Sequence, residues 1–219
     1  SACHSEKIDQ TIKAMKYSMR EIDFHSCLIL TDKDINTDGI EIINVGHDID
    51  LIEYNRICIN DLHKYVNTDY CLVIQWDGFV INPKRWSDEF LNYDYIGSNW
   101  IINNPNINTV GNGGFSLRSK KFLEVSSKID YTPHECKWLS DSQKSYMPIT
   151  PEDWFLCFDK YDYMIQNGIK FSDKSIADKF SVEHPHSLKP FNRNDIHTYK
   201  SFGFHGEFNK AAMELLNAR

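Results

Sequence analysis

Four groups of side chains have the types and spacing to do chemistry. Gln75-Trp76-Asp77 follows Tyr70-Cys71-Leu72-Val73-Ile74, a run apolar at every position. Such a run reads as a strand covered on both faces, typical of parallel sheets, and an acid at its carboxyl end stands where open α/β sheets hold ligands and could face a cation. Asp77-Gly78 is equally a strong turn signal. Gly111-Asn112-Gly113-Gly114 lets backbone approach a ligand closely, yet it lacks the Lys-Ser/Thr of a phosphate-binding loop and the spacing of a dinucleotide fingerprint. Pro151-Glu152-Asp153 opens a helix after a polar stretch, so a carboxylate there could be a rigidly held general base. The same acids suit the helix dipole, and Thr150 with Asp153 resembles a capping box. His205, within Phe202-Gly203-Phe204-His205-Gly206, is a candidate metal ligand, with His184-Pro185-His186 as a competing pair.

The elements that must position these groups alternate between helix and strand. After Ser5, a candidate N-cap, Ile8, Ile12, Met15, Met19 and Ile22 fall on one helical face. Cys27 to Thr31 and Ile42 to Val45 are β-prone, and Cys58, Leu62, Tyr65 and Val66 trace a second helical face. Beyond the central apolar strand come a Pro83-started segment through Leu91, the strand-like Tyr95-Ile96-Gly97 and a helix over Lys120 to Ile129. Another helix runs from Thr150-Pro151 to about Gly168, with Pro in its first turn and a glycine at its end. The last fifty residues read as irregular structure. The expectation is one α/β domain over residues 1–219.

With 219 residues and 41% hydrophobic side chains, the chain can bury one sizeable core, and no apolar run reaches the roughly 20 residues of a membrane span. Its net charge is −7 and no basic cluster tracks a phosphate backbone, which argues against nucleic acid as a partner. Six scattered cysteines without a CxxC pair read as reduced thiols in a cytoplasmic setting. The chain opens at Ser1-Ala2-Cys3 as an excerpt of a longer, multidomain protein with a trimmed first strand would.

The order of acid after a strand, glycine loop, Glu-Asp at a helix start and late histidine resembles glycosyltransferases of the GT-A fold. Gln75-Trp76-Asp77-Gly78-Phe79, Trp86-Ser87-Asp88-Glu89-Phe90, Tyr93 to Gly97, Gly111 to Arg118, Pro151-Glu152-Asp153, Phe180-Ser181-Val182-Glu183 and Phe202 to Gly206 together resemble a largely uncharacterised family of bacterial and viral glycosyltransferase-like domains. The resemblance implies a GT-A-like, Rossmann-like α/β fold with a mixed, mainly parallel sheet flanked by helices. It implies Asp153 as catalytic base with Glu152 in support, and Asp77 and His205 as ligands of Mn²⁺ or Mg²⁺. It further implies donor contacts from Asp32, Tyr54, Asn55, Arg56, Gln75, Trp76, Asp77, Asn112, Gly113 and Gly114. Gln75 departs from the pattern by standing where the first acid of a DxD motif belongs, which removes one negative charge. The implied partners are a nucleotide-sugar donor, with uridine diphosphate as its nucleotide, and a glycan or glycoconjugate acceptor in surface polysaccharide synthesis. The competing readings are a carbohydrate-binding module that keeps an aromatic cleft of Trp76, Trp86, Trp100 and Trp154, and a structural domain of a polysaccharide-synthesis protein.

Overall fold

A computed structural model describes residues 2–3, 7–100, 108–136, 147–184 and 191–216. Helix α1 spans Ile8–Met19 and buries Thr11, Ala14, Met15 and Ser18, while Ile8, Ile12 and Met19 pack at the edge of the same core. Ser5, the expected cap, lies outside the described residues; the N-cap position is Lys7, in left-handed backbone. Ser18 accepts the Val80 backbone N–H at 3.1 Å, tying α1 to the strand that follows the site acid.

The expected mainly parallel, Rossmann-like sheet is not what the chain forms. Four small sheets are present among the described residues. Strands β1 (Ala2–Cys3), β2 (Leu28–Thr31) and β3 (Glu41–Asn44) pair in parallel. The strand carrying the site acid, β4 (Tyr70–Ile74), instead runs antiparallel to β9 (Phe115–Ser119), which also pairs antiparallel with β6 (Tyr95–Ile96). The third sheet is mixed: β11 (Gly203–His205) lies parallel to β10 (Ser181–Val182) and antiparallel to β5 (Gly78–Val80). A last antiparallel pair joins β7 (Ser98–Asn99) to β8 (Val110–Gly111). An apolar run reports burial on two faces and carries no information on strand direction, so Tyr70 to Ile74 fits an antiparallel neighbour as well as a parallel one. The class remains mixed α/β.

Helix α2 (Leu51–Arg56) continues through a π-helical turn, Ile57–Asp61, and buries Ile57, Cys58 and Ile59. Helix α3 (Lys120–Ser126) follows β9 directly and is capped by Ser119 Oγ, which accepts the Phe122 N–H. The helix opened by Pro151 is broken into α4 (Glu152–Trp154), a π turn Phe155–Asp159 and α5 (Tyr161–Gln166), ending near Gly168 at φ +75°. The tail is more regular than its Pro and Gly content suggests. It forms α6 (Lys174–Phe180), β10, β11 and α7 (Lys210–Met213).

Two apolar clusters flank the site. One gathers Ile74, Phe79, Phe90, Phe115, Phe180, Phe202 and Phe204 under α1, and the other gathers Val73, Tyr95, Phe122, Leu123, Phe155, Leu156 and Met164. Each fully buried Phe contributes about 1.5–3 kcal/mol of transfer free energy. Strand β4 supplies residues to both clusters and β9 supplies Phe115 and Leu117 to the first, which fixes the loops at their ends: Gln75 to Asp77 and Asn112 to Gly114. Among the described residues no helix is long and apolar enough to cross a membrane.

Candidate functional site

Those two loops, the start of α4 and the end of β11 meet around a cavity of about 590 Å³. Its lining includes Tyr54, Asn55, Gln75, Asn112, Gly113, Gly114, Glu152, Asp153, Glu183 and His205, with Trp100 and Trp154 forming an aromatic wall. Trp100 stacks on Phe158 with ring centroids 5.0 Å apart, and Trp154 lies 5.3 Å from Trp100.

At one pole is His205, placed by the β5–β11 register opposite Gly78. Its Nε2 lies 3.5 Å from Asp77 Oδ1 and 3.3 Å from Gln75 Oε1; its Nδ1 lies 3.4 Å from Glu183 Oε1 and 2.8 Å from the Asn112 amide. Burial alone would push the imidazole down, but the Asp77 and Glu183 carboxylates outweigh it and hold the ring pushed up to about 10. Burial likewise opposes ionisation of Asp77 and Glu183, and His205 reverses this, leaving both below the usual carboxylate range. Asp77 and His205, separated by more than half the chain, thus meet as the sequence pattern implies.

At the other pole Asp153 accepts the Gly113 N–H through Oδ2 at 2.8 Å and the Trp154 N–H through Oδ1 at 2.8 Å. Burial, followed by the neighbouring charge of Glu152, pushes its carboxyl up to about 7. No capping box forms: the N-cap position is Pro151, and the hydroxyl of Thr150 is buried without a hydrogen bond. Glu152 points away from this role. Both its oxygens are taken by the Arg118 guanidinium, at 2.7 and 3.2 Å, in a pair with side-chain exposures of 2% and 0%. Arg118 also donates to the Gly113 carbonyl at 3.3 Å and to Ser116 Oγ at 3.0 Å.

The glycines serve close approach. A Cβ on Gly113 would sit 1.9 Å from Glu152 Oε1, and one on Gly114 would sit 2.1 Å from His205 Nε2 and 2.5 Å from Gln75 Oε1. The left-handed position in the loop belongs to Asn112, at φ 72°, whose side-chain oxygen accepts the Phe115 N–H. Gly113 bonds to the Asp153 pole and Gly114 presses on the His205 pole. The two poles therefore touch adjacent residues of the floor.

Other residues implied as donor contacts lie elsewhere or do other work. Arg56 is engaged by Glu53 and Asp61, Asp32 pairs with Lys33, and Trp76 carries the Lys7 ammonium 3.4 Å above its ring; none of the three lines the cavity, and neither does Asp77, which lies behind His205. Asn55 lines it but is fully buried and acts as a bracket. Its amide nitrogen donates to Tyr131 Oη and the Thr150 carbonyl, and its oxygen accepts the Glu152 N–H. Trp86 is surface-exposed and packs on Phe90 and Phe202, outside the cavity. Arg118 and Glu183 carry no role in the sequence pattern. Their signals were a cation inside a five-residue apolar-flanked run and an acid just after Phe180-Ser181-Val182.

Among the described residues no group of three or more His, Cys, Asp or Glu side chains is arranged to hold a metal ion. The set that converges counts Gln75 in place of a third such residue. Asp77 Oδ1 is buried and faces His205 Nε2 at 3.5 Å, Gln75 Oε1 lies 3.3 Å from the same ring nitrogen, and Glu183 backs the far one. A carboxylate behind a ligating imidazole is the usual outer-shell arrangement, and oxygen donors with one imidazole suit Mn²⁺ or Mg²⁺. The donor chemistry fits such an ion once it displaces the ring proton that the two carboxylates hold on His205.

No curated protein matches the chain. Residues 49–205, more than two thirds of the sequence and a span that holds every cavity residue named above, match a family model described as a protein of unknown function, DUF5672. The chain therefore belongs to the DUF5672 family.

Proposed function

We propose that this protein is a nucleotide-sugar-dependent glycosyltransferase in which Asp153 removes the proton from an acceptor hydroxyl. The observation that carries the reading is one cavity lined by Asp153, a carboxylate pushed up to about 7, and by Gln75 and His205, with the Asp77 carboxylate behind the His205 ring at 3.5 Å. The motif resemblance across the chain supports it.

In this reading the donor's diphosphate lies toward Gln75, Asp77 and His205, which would hold Mn²⁺ or Mg²⁺. The bound ion would neutralise the charge that builds on the leaving diphosphate. Asp153, anchored by the Gly113 and Trp154 N–H groups, accepts the hydroxyl proton as the acceptor oxygen bonds to the anomeric carbon and the carbon–diphosphate bond breaks. Attack from the Asp153 side, opposite the leaving group, inverts the anomeric centre. A carboxyl near 7 holds a proton more readily than an ordinary aspartate, which suits a general base working close to neutrality. Glu152 is a positioning residue: its charge raises Asp153 and its bond to Arg118 secures the Gly113 loop. The aromatic wall of Trp100 and Trp154 offers a surface on which an acceptor sugar packs. Uridine diphosphate as the donor nucleotide, a surface glycan or glycoconjugate as acceptor, and a cytoplasmic location belong to the same proposal; Cys27, Cys58, Cys71, Cys136 and Cys157 are free thiols, as a reducing compartment would keep them.

The test is release of nucleoside diphosphate from a panel of nucleotide sugars, with acceptor glycans and with or without Mn²⁺. Release from a uridine diphosphate sugar supports the reading. Binding of diphosphates with no release from any donor would favour the carbohydrate-binding alternative.

A further inference from the structure

A second pocket lies at the other end of the mixed sheet. In β5 and β11 the register sets Gly78 against His205 and Val80 against Gly203, so residues after β5 and before β11 lie away from the Asp77–His205 pole. There Lys84, Arg85, Lys179 and Lys200 surround a concavity of about 480 Å³, with Ser87 and the fully buried Phe90 completing its lining. In a chain of net charge −7, four cations drawn from three distant segments converge on one depression.

Their charges are poorly compensated. Lys179 pairs with Glu89 at 3.3 Å, with side-chain exposures of 60% and 46%. Lys200 donates to the His197 carbonyl at 2.7 Å, which leaves its charge unmatched. Lys84 and Arg85 make no ion pair among the described residues. Beside them stands Trp86, 39% exposed yet held firmly: its Nε1–H donates to Asp88, and its ring meets Phe90 and Phe202 edge-on at 5.5 and 5.4 Å. This fixed, partly open indole does not line the concavity but packs on Phe90, which does, so the rim offers an apolar face for a sugar ring beside ammonium and guanidinium groups for its acid.

We propose that this pocket binds an acidic saccharide, a sugar unit bearing a carboxylate or similar anionic group. Resting on the glycosyltransferase reading, that unit belongs to an acidic acceptor glycan held at a distance from the cavity where its end reacts. A concave site suits a discrete anionic residue better than a flat bilayer surface, so an anionic membrane is the outcome that would refute the assignment rather than part of it.

The experiment is calorimetric titration of the full chain with short oligogalacturonates and with sulfated dextran oligomers. Neutral dextran oligomers and phosphatidylglycerol vesicles serve as comparison probes. Variants are K84E/R85E, at two exposed positions, and Trp86→Ala. The wild type is expected to bind at least one acidic oligosaccharide and not neutral dextran, with affinity falling as salt rises. K84E/R85E should weaken that binding at least about tenfold, and Trp86→Ala should weaken it severalfold. Failure of both acidic probes to bind, equal binding by K84E/R85E, or binding to vesicles alone would overturn the proposal. Mn²⁺-dependent binding of uridine diphosphate, measured on the same variants, should be unchanged. That readout separates failure of this pocket from failure of the transferase reading.

Discussion

At the scale of single residues the argument rests on two neighbouring acids with opposite fates. Glu152 is locked to Arg118 out of solvent, whereas Asp153 makes no ion pair among the described residues and faces the cavity. With its carboxyl pushed up to about 7 by burial and by Glu152, acceptor-dependent kcat/KM should rise with pH, level off above about 7, and lose this limb in Asp153→Asn. The sign for stability follows from linkage. The folded-state value lies above the roughly 3.9 of an unfolded aspartate, so the wild type binds its proton more tightly when folded and loses that advantage as pH rises from about 4 through about 7. Thermal melts of Asp153→Asn should therefore gain on the wild type across that window; a pH-independent difference would remove the raised carboxyl from the account. Removing the other partner acts differently. Arg118→Met leaves Glu152 buried without its counter-charge, with an expected cost of about 3–5 kcal/mol in urea unfolding.

At the scale of elements, the floor loop between β8 and β9 joins both poles. Gly114→Ala would drive a methyl onto His205 Nε2 and Gln75 Oε1, so a loss of about 1–3 kcal/mol is expected, together with impaired nucleotide binding in a titration with uridine diphosphate. Unimpaired binding would show that the loop does not shape the site. The longer strands and the main helices were legible in the sequence because apolar periodicity leaves local marks, whereas the meeting of Asp77 with His205 was implied only by the order of motifs that carries the family resemblance. Strand direction was not, since Tyr70 to Ile74 is apolar whichever way its neighbour runs. The tail was misread for a related reason: β10 and β11 span two and three residues, too short for a period, and they are ordered by packing of Phe180, Phe202 and Phe204 rather than by propensity. Arg118 stayed hidden because its partner lies 34 residues away, beyond any local pattern.

At the scale of the whole molecule, charge is unevenly placed. The cavity lining holds Asp48, Asp50, Glu152, Asp153 and Glu183, and among the described residues His205 is its one basic side chain. A diphosphate entering that field meets repulsion unless a cation accompanies it. Binding of uridine diphosphate is thus expected with Mn²⁺ and lost in chelator, as calorimetry would show; equal binding in both conditions would remove the ion from the account. The central claim, that Asp153 is the base of a sugar transfer, is tested most directly by acceptor-dependent release of nucleoside diphosphate from a nucleotide sugar by the wild type and by Asp153→Asn, alongside donor affinity and melting temperature. The expected result is release slowed by roughly 10²–10⁴-fold in the variant, with donor affinity retained and no loss of thermal stability. Release by the variant at the wild-type rate would contradict it.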